Sequence, residues 1–192
     1  MGLPEKDLLV VTFARLVDTK QVDHFIEAAA LLRKEAARGT TFVIGGDGPM
    51  RPALERLARD KGLGDRFIFT GVIPHEKVVR FLKASDIFVG TNDLTNMSLP
   101  PCEAILCGVP VIAYDNSGTS EVVRDGETGL LVPDGDIERL AERLSQLIED
   151  SELRESLSRG AAAFGRSHFV SWDERISREI DALQAISNKN PR

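Results

Sequence analysis

Four stretches of the chain carry side chains whose types and spacing suit chemistry. In the first, Ala14, Arg15 and Leu16 are followed by Lys20; Arg15 leaves the carboxyl end of the first strand and Lys20 opens the following helix, so two cations stand five residues apart across that turn. Arginine offers a planar fork of donors and lysine a movable point charge, and such a pair can converge on a diphosphate. The same two side chains read equally well as solvated surface charges. The second stretch, Gly45 to Pro49, reads Gly-Gly-Asp-Gly-Pro. Glycines at a strand end permit positive φ and the close approach of a ligand or another backbone. The spacing excludes a dinucleotide fingerprint, because the third glycine of G-x-G-x-x-G, counted from Gly46, falls at Arg51. A tight turn before a helix, with Pro49 near its first turn, is a simpler reading than a dedicated phosphate cradle. The third stretch, Thr91 to Ala113, runs from a strand end through a polar loop into a helix and on to another strand. Free amides at that helix start, near Ser98 and Leu99, favour a phosphate. Glu103, read as lying in the first turn, can accept both hydroxyls of a ribose; it can also be an acid favoured there only by the helix dipole. In the fourth stretch, Asn116 to Val132, Ser117, Gly118 and Thr119 start a short helix and Asp125-Gly126 makes a turn, while Glu121 and Arg124 read as structural or surface groups.

Other chemistries find little support. His24, His75 and His168 have no Cys, Asp or Glu at a spacing that forces a metal reading, and they read as surface or packing groups. Cys102 and Cys107 lie five apart in one predicted helix, a spacing that suits neither a metal knuckle nor a redox pair, so both read as reduced core residues of a cytoplasmic protein. There is no G-x-S-x-G elbow and no P-loop. The 192 residues carry a formal charge of −6, which gives no general pull on nucleic acid or anionic membranes but leaves room for a local basic site. No apolar run approaches the ~20 residues of a membrane helix. The MGLPEKD start lacks the layout of a signal peptide. Hydrophobic residues at 42% and charged ones at 28% are ordinary for a chain that builds a core.

The elements that must position these residues alternate strand and helix. Apolar strands are predicted at 8–13, 41–46, 66–71, 86–90, 109–114 and 129–132. Helices are predicted at about 21–37, 50–61, 75–84 and 101–107, with a turn of helix near Ser120. The tail from Asp136 to about Leu183 reads as all-helical, broken near Asp150 and His168. Strands this apolar on both faces suit a parallel sheet covered on each side. The expected fold is therefore α/β: one Rossmann-like doubly wound parallel sheet of about six strands, with ligands beyond the carboxyl ends. One domain is expected over 1–192, with a core at about 8–150 and C-terminal helices at about 151–187.

Taken together, the runs FARLVDTK, GGDGP, FIFTGVI, SDIFVGTNDLTNMSLPPCEAILCGVPVIA and SGTSEVVRDGETGLLV resemble one family. In order and interval they are similar to the C-terminal domain of group 1 (family 4) retaining glycosyltransferases of the GT-B architecture. The agreement extends over about residues 8–150, and Ser171-Trp172 also resembles the family's ending.

The resemblance implies a half that binds a nucleoside diphosphate sugar without a metal or other cofactor. Arg15 and Lys20 match the pair that holds the diphosphate, and Glu103 matches the second glutamate of the E-x7-E motif, which holds the ribose. Ile73 matches the position whose backbone meets the base. Ser98 and Leu99 match helix-start amides near phosphate and sugar. Departures are also visible. Thr95 stands where the family has the first glutamate, which contacts the transferred sugar or lies near the reacting face. Thr91-Asn92 replaces a Pro-Ser pair, Asn96 and Ser98 replace two glycines, and Ala14 replaces the glycine before Arg15. The diphosphate and ribose grips thus look intact and the sugar grip altered. A GT-B enzyme also needs an acceptor-binding N-terminal domain, in cis or as a separate chain, so this chain alone is expected to be inactive in hexosyl transfer. The alternative is a non-catalytic nucleotide-binding or partner-binding module with a degenerate sugar site at Thr95.

Overall fold

The computed structural model describes residues 7–92, 99–116 and 118–189, without the side chains of 172 and 187–189. Six strands, β1 (Leu8–Phe13), β2 (Thr40–Gly45), β3 (Phe67–Gly71), β4 (Ile87–Gly90), β5 (Val111–Asp115) and β6 (Gly129–Pro133), form one sheet in the order β3-β2-β1-β4-β5-β6. Every pairing is parallel. The order reverses at β1, whose Val10 and Val11 stand against Ile87 and Phe88 of β4. In open α/β sheets the crevice at such a reversal, outside the carboxyl ends, is where ligands bind. Asp86 locks the amino end of this junction: its carboxylate accepts from Leu9 N at 2.7 Å and its own N–H donates to Leu9 O at 2.8 Å.

The helices are α1 (Val22–Ala30), α2 (Lys34–Arg38), α3 (Arg51–Asp60), α4 (His75–Lys83), α5 (Leu99–Leu106), α6 (Ile137–Glu149), α7 (Ser151–His168) and α8 (Trp172–Lys189). Alternation along the strands sends side chains to two separate apolar layers. Val10, Phe42 and Ile112 pack with Phe25 and Ile26 of α1, Leu54 of α3 and Leu140 and Leu144 of α6. Leu9, Val11 and Phe88 pack with Leu82 of α4, Ile105 of α5 and Phe164 of α7. The strands are buried on both faces, which is why they read as continuous apolar runs. Asp136 and Asp150 cap α6 and α7 by accepting from Arg139 N and Leu153 N at 2.8 and 2.9 Å. On α8, Ile176, Ile180, Leu183 and Ile186 are exposed.

Two boundaries differ from expectation. The helix predicted over 21–37 is two helices, because the chain turns at Leu31, Leu32 and Arg33. Leu32 and Ala37 are buried while Leu31 is exposed, so one straight helix cannot present both to the core. Lys20 does not open a helix either; it closes a separate 3-10 turn, Asp18–Lys20.

Candidate functional site

All six carboxyl ends lie along one edge of the sheet, and there the chain continues past β1 against the loop after β2. Ala14 N donates to Gly45 O at 3.0 Å, Leu16 N to Asp47 O at 2.9 Å, and Met50 N to Leu16 O at 3.1 Å. Gly46, with φ +131°, makes this approach possible: a Cβ there would stand 2.9 Å from the Ala14 carbonyl carbon and closer still to its oxygen. The Gly45–Pro49 segment thus serves backbone against backbone. Pro49 itself lies in the turn; α3 begins at Arg51, and the proline of its first turn is Pro52.

This junction walls a cleft of ≈ 330 Å³ lined by Phe13, Ala14, Arg15, Gly46, Asp47 and Ile73, among others. Phe13 packs edge-on against Phe81 and Phe88 at 6.3 and 6.0 Å between ring centres, which fixes the floor. The cleft is a largely apolar slot with Arg15 among its lining residues, a chemistry that suits a flat ring joined to an anion.

Lys20 reaches the same edge by a different route. Its carbonyl accepts a hydrogen bond from the buried Thr91 Oγ1, just past β4, at 2.9 Å. The next residue, Gln21, has φ +44°, alone among described non-glycine residues in having a positive φ. Left-handed backbone costs a side-chain-bearing residue about 1–2 kcal/mol. Gln21 Oε1 is also buried with no hydrogen-bond partner among the described residues.

Glu103 is the fifth of the described residues of α5, Leu99–Leu106, so it lies beyond the first turn and not within it. The Glu103 carboxylate stands 3.9 Å from Nδ1 of His75, the first residue of α4 and two residues beyond Ile73. Leu99 is 69% exposed at the head of α5. Pro101 lies over the end of β4, 3.6 Å from where a Gly90 Cβ would be. Thr95 and Ser98 fall outside the described residues. Arg15 and Ile73 therefore share one cleft, Lys20 is tied to the end of β4, and Glu103 is held beside α4.

Three groups at this edge escaped the sequence reading. Arg51 donates to Glu55 at 2.8 Å and also reaches Asp47 and the Phe69 carbonyl, so it braces the loop. The Glu55 hydrogen bond is the main cause that holds its pKa above the ordinary value, with burial opposing and Asp47 adding. Asn116 donates to the Asn92 carbonyl at 2.7 Å and to Asp134 at 2.8 Å, joining the ends of β4, β5 and β6. Thr91 is the third. Each follows a glycine-rich turn or an apolar strand, a signal shared by many inert polar residues. Burial pushes the thiols of Cys102 and Cys107 up, away from nucleophilic use. Neither cysteine is in a disulfide. Among the described residues no group of three His, Cys, Asp or Glu side chains is arranged to hold a metal ion, and no helix is long and apolar enough to cross a membrane.

Comparison with known proteins adds four findings. A family model described as glycosyl transferases group 1 matches residues 1–164. The chain is 34% identical over 161 residues to the alpha-D-kanosaminyltransferase of Streptomyces kanamyceticus, covering 84% of this chain and 41% of that protein. Among solved structures, Anabaena Alr3699/HepE in complex with UDP-glucose matches with a TM-score of 0.81 at 25% identity, over 92% of this chain and 49% of that one. The C-terminal domain of the group 1 family protein LpcC from Francisella tularensis matches with a TM-score of 0.77 at 28% identity, over 84% of this chain and 85% of that one. The chain spans less than half of the kanosaminyltransferase and HepE chains and most of the isolated LpcC domain.

Proposed function

This chain belongs to the group 1 glycosyl transferases and has the Rossmann-like fold of GT-B C-terminal domains, and on that footing we propose that it is the donor-binding half of a retaining enzyme. The observation that carries the reading is the cleft at the β1 carboxyl end, where Arg15, Gly46 and Ile73 meet beside the reversal of strand order. A nucleoside diphosphate hexose is the ligand. The base enters the apolar slot against the backbone at Ile73, and Glu103 accepts the ribose hydroxyls. The amides near Ser98 and Leu99 face the phosphate and sugar. Arg15 and Lys20 hold the diphosphate and stabilise the charge that grows on it as the glycosidic bond breaks. Each such charge-assisted hydrogen bond is worth about 1.5–3 kcal/mol. No step is assigned to a metal or other cofactor.

The hexosyl group passes to an acceptor held by a second Rossmann-like domain, supplied in cis or by a separate chain in the cytoplasm. The 41% coverage of the kanosaminyltransferase supports that arrangement. One wall alone does not exclude water, so this chain by itself transfers negligibly.

Titration calorimetry with UDP, GDP and ADP tests the reading. One of the three binds at micromolar concentration, and Arg15→Ala and Glu103→Ala each weaken it at least about tenfold. A folded chain that binds none of them refutes a donor site. A second reading, a non-catalytic nucleotide-binding module, is favoured by Thr95 standing at the family's glutamate position. It is supported if the nucleotide binds but a supplied acceptor domain restores no transfer, while Thr95→Glu does.

A further inference from the structure

Lys20 lies in no α-helix or strand that would fix its direction. It ends a one-turn segment, and the residue after it holds a left-handed backbone. A lysine side chain is flexible, so where its ammonium can work is decided by where its backbone is pinned. The pin is a hydrogen bond spanning 71 positions of sequence: Thr91 Oγ1 donates to the Lys20 carbonyl at 2.9 Å. Thr91 is only 2% exposed, so this bond is shielded from water. Beside it, the strained Gln21 backbone and the buried Gln21 Oε1, which has no hydrogen-bond partner among the described residues, both mark a turn held in place by its surroundings. Local strain of this kind persists only where neighbouring structure imposes it, and it gathers at ligand clamps.

We propose that Thr91 is a positioning residue for the donor diphosphate: its hydroxyl holds the Lys20 carbonyl against the end of β4 and so directs the lysine ammonium across the crevice between β1 and β4. This rests on Lys20 as a diphosphate ligand. The family pattern has proline at this position, which carries no hydroxyl, so the anchor belongs to this chain's own sequence. Thr91 touches neither base nor phosphate; it acts through Lys20 alone.

The test compares the affinity of the full chain for UDP, GDP or ADP, whichever binds, with its affinity for the matching nucleoside, by calorimetry and NMR titration. Thr91→Val removes the hydroxyl at nearly constant shape. It lowers diphosphate affinity about tenfold and leaves nucleoside affinity within about twofold. Thr91→Ser keeps the hydroxyl and keeps wild-type affinity. In the Lys20→Ala background Thr91→Val has no further effect, because its only route of action is gone. Partial unfolding of the valine variant lowers both affinities alike and leaves their ratio unchanged, and Thr91→Ala gives a second measurement of that ratio. The proposal is overturned if Thr91→Val keeps the wild-type ratio, or if its effect adds fully to that of Lys20→Ala. A wild-type chain that does not favour the diphosphate over the nucleoside overturns the donor reading itself, which separates the two failures.

Discussion

Gly46→Ala perturbs fold and site through one contact. The added methyl would stand 2.9 Å from the Ala14 carbonyl carbon and nearer to its oxygen, and both neighbours are backbone. Carbon atoms sit comfortably at about 3.5 Å, so the 14–16 segment and the β2 loop must part by at least about half an ångström. That movement strains two hydrogen bonds, Ala14 N to Gly45 O at 3.0 Å and Gly46 N to Gly71 O at 2.8 Å. Each is worth about 1 kcal/mol. The φ of +131° adds a conformational penalty for any L-residue, of about 1–2 kcal/mol. The total loss is about 3–4 kcal/mol, readable as a lower midpoint in urea unfolding monitored by circular dichroism. Gly62→Ala is the control: its φ is +73°, but the new methyl meets nothing within 4 Å. It should cost only the conformational part, about 1 kcal/mol. Since Arg15 follows the displaced Ala14, the folded fraction of Gly46→Ala should also bind nucleotide more weakly. Equal losses for the two glycine variants would refute the close-approach argument, because the clash is what separates them.

Two further outcomes follow from single residues. Gln21→Gly removes the left-handed strain at φ +44° and a buried Oε1 that has no hydrogen-bond partner among the described residues. After the entropic cost of glycine it should raise stability by up to about 1 kcal/mol in urea unfolding, and a loss would show that the Gln21 side chain stabilises the turn. Tyr114 is buried and shares a 2.9 Å hydrogen bond with His24. Burial first, then Asp134, Asp136 and Asp23, push its pKa up. Its folded pKa exceeds the unfolded value of about 10, so the stability it contributes is full below pH ~10 and is lost as pH rises beyond. Cys102 and Cys107 act with the same sign from about pH 8.5. Tyr114→Phe should cost about 1 kcal/mol at neutral pH yet flatten the fall in stability above pH ~10, as followed by urea midpoints between pH 8 and 11. An unchanged slope would refute the role of the tyrosine.

Six strands were legible from local apolar runs alone, because a parallel sheet covered on both faces leaves no polar alternation to blur them. The resemblance rested on glycines and charges at strand ends, and those ends do share one edge of the sheet. Boundaries set by packing were less legible. The alanine-rich stretch through Ala28, Ala29, Ala36 and Ala37 has helical character throughout, yet it bends because Leu32 and Ala37 must both reach the core. Glu103 lies beyond the first turn of α5, whose described part already begins at Leu99.

Local residue type and spacing determined the kind of groups this protein places at its strand ends: glycines at a backbone crossing, cations after β1, an acid on α5. Only the tertiary structure decided which of them meet. Thr91 and Lys20, 71 positions apart, touch because β1 and β4 are neighbours in the sheet. Arg15 and Ile73 share a cleft because β1, β2 and β3 end together. Such partnerships follow from strand order, a global result of burying two apolar layers at once, and no local window of sequence contains it.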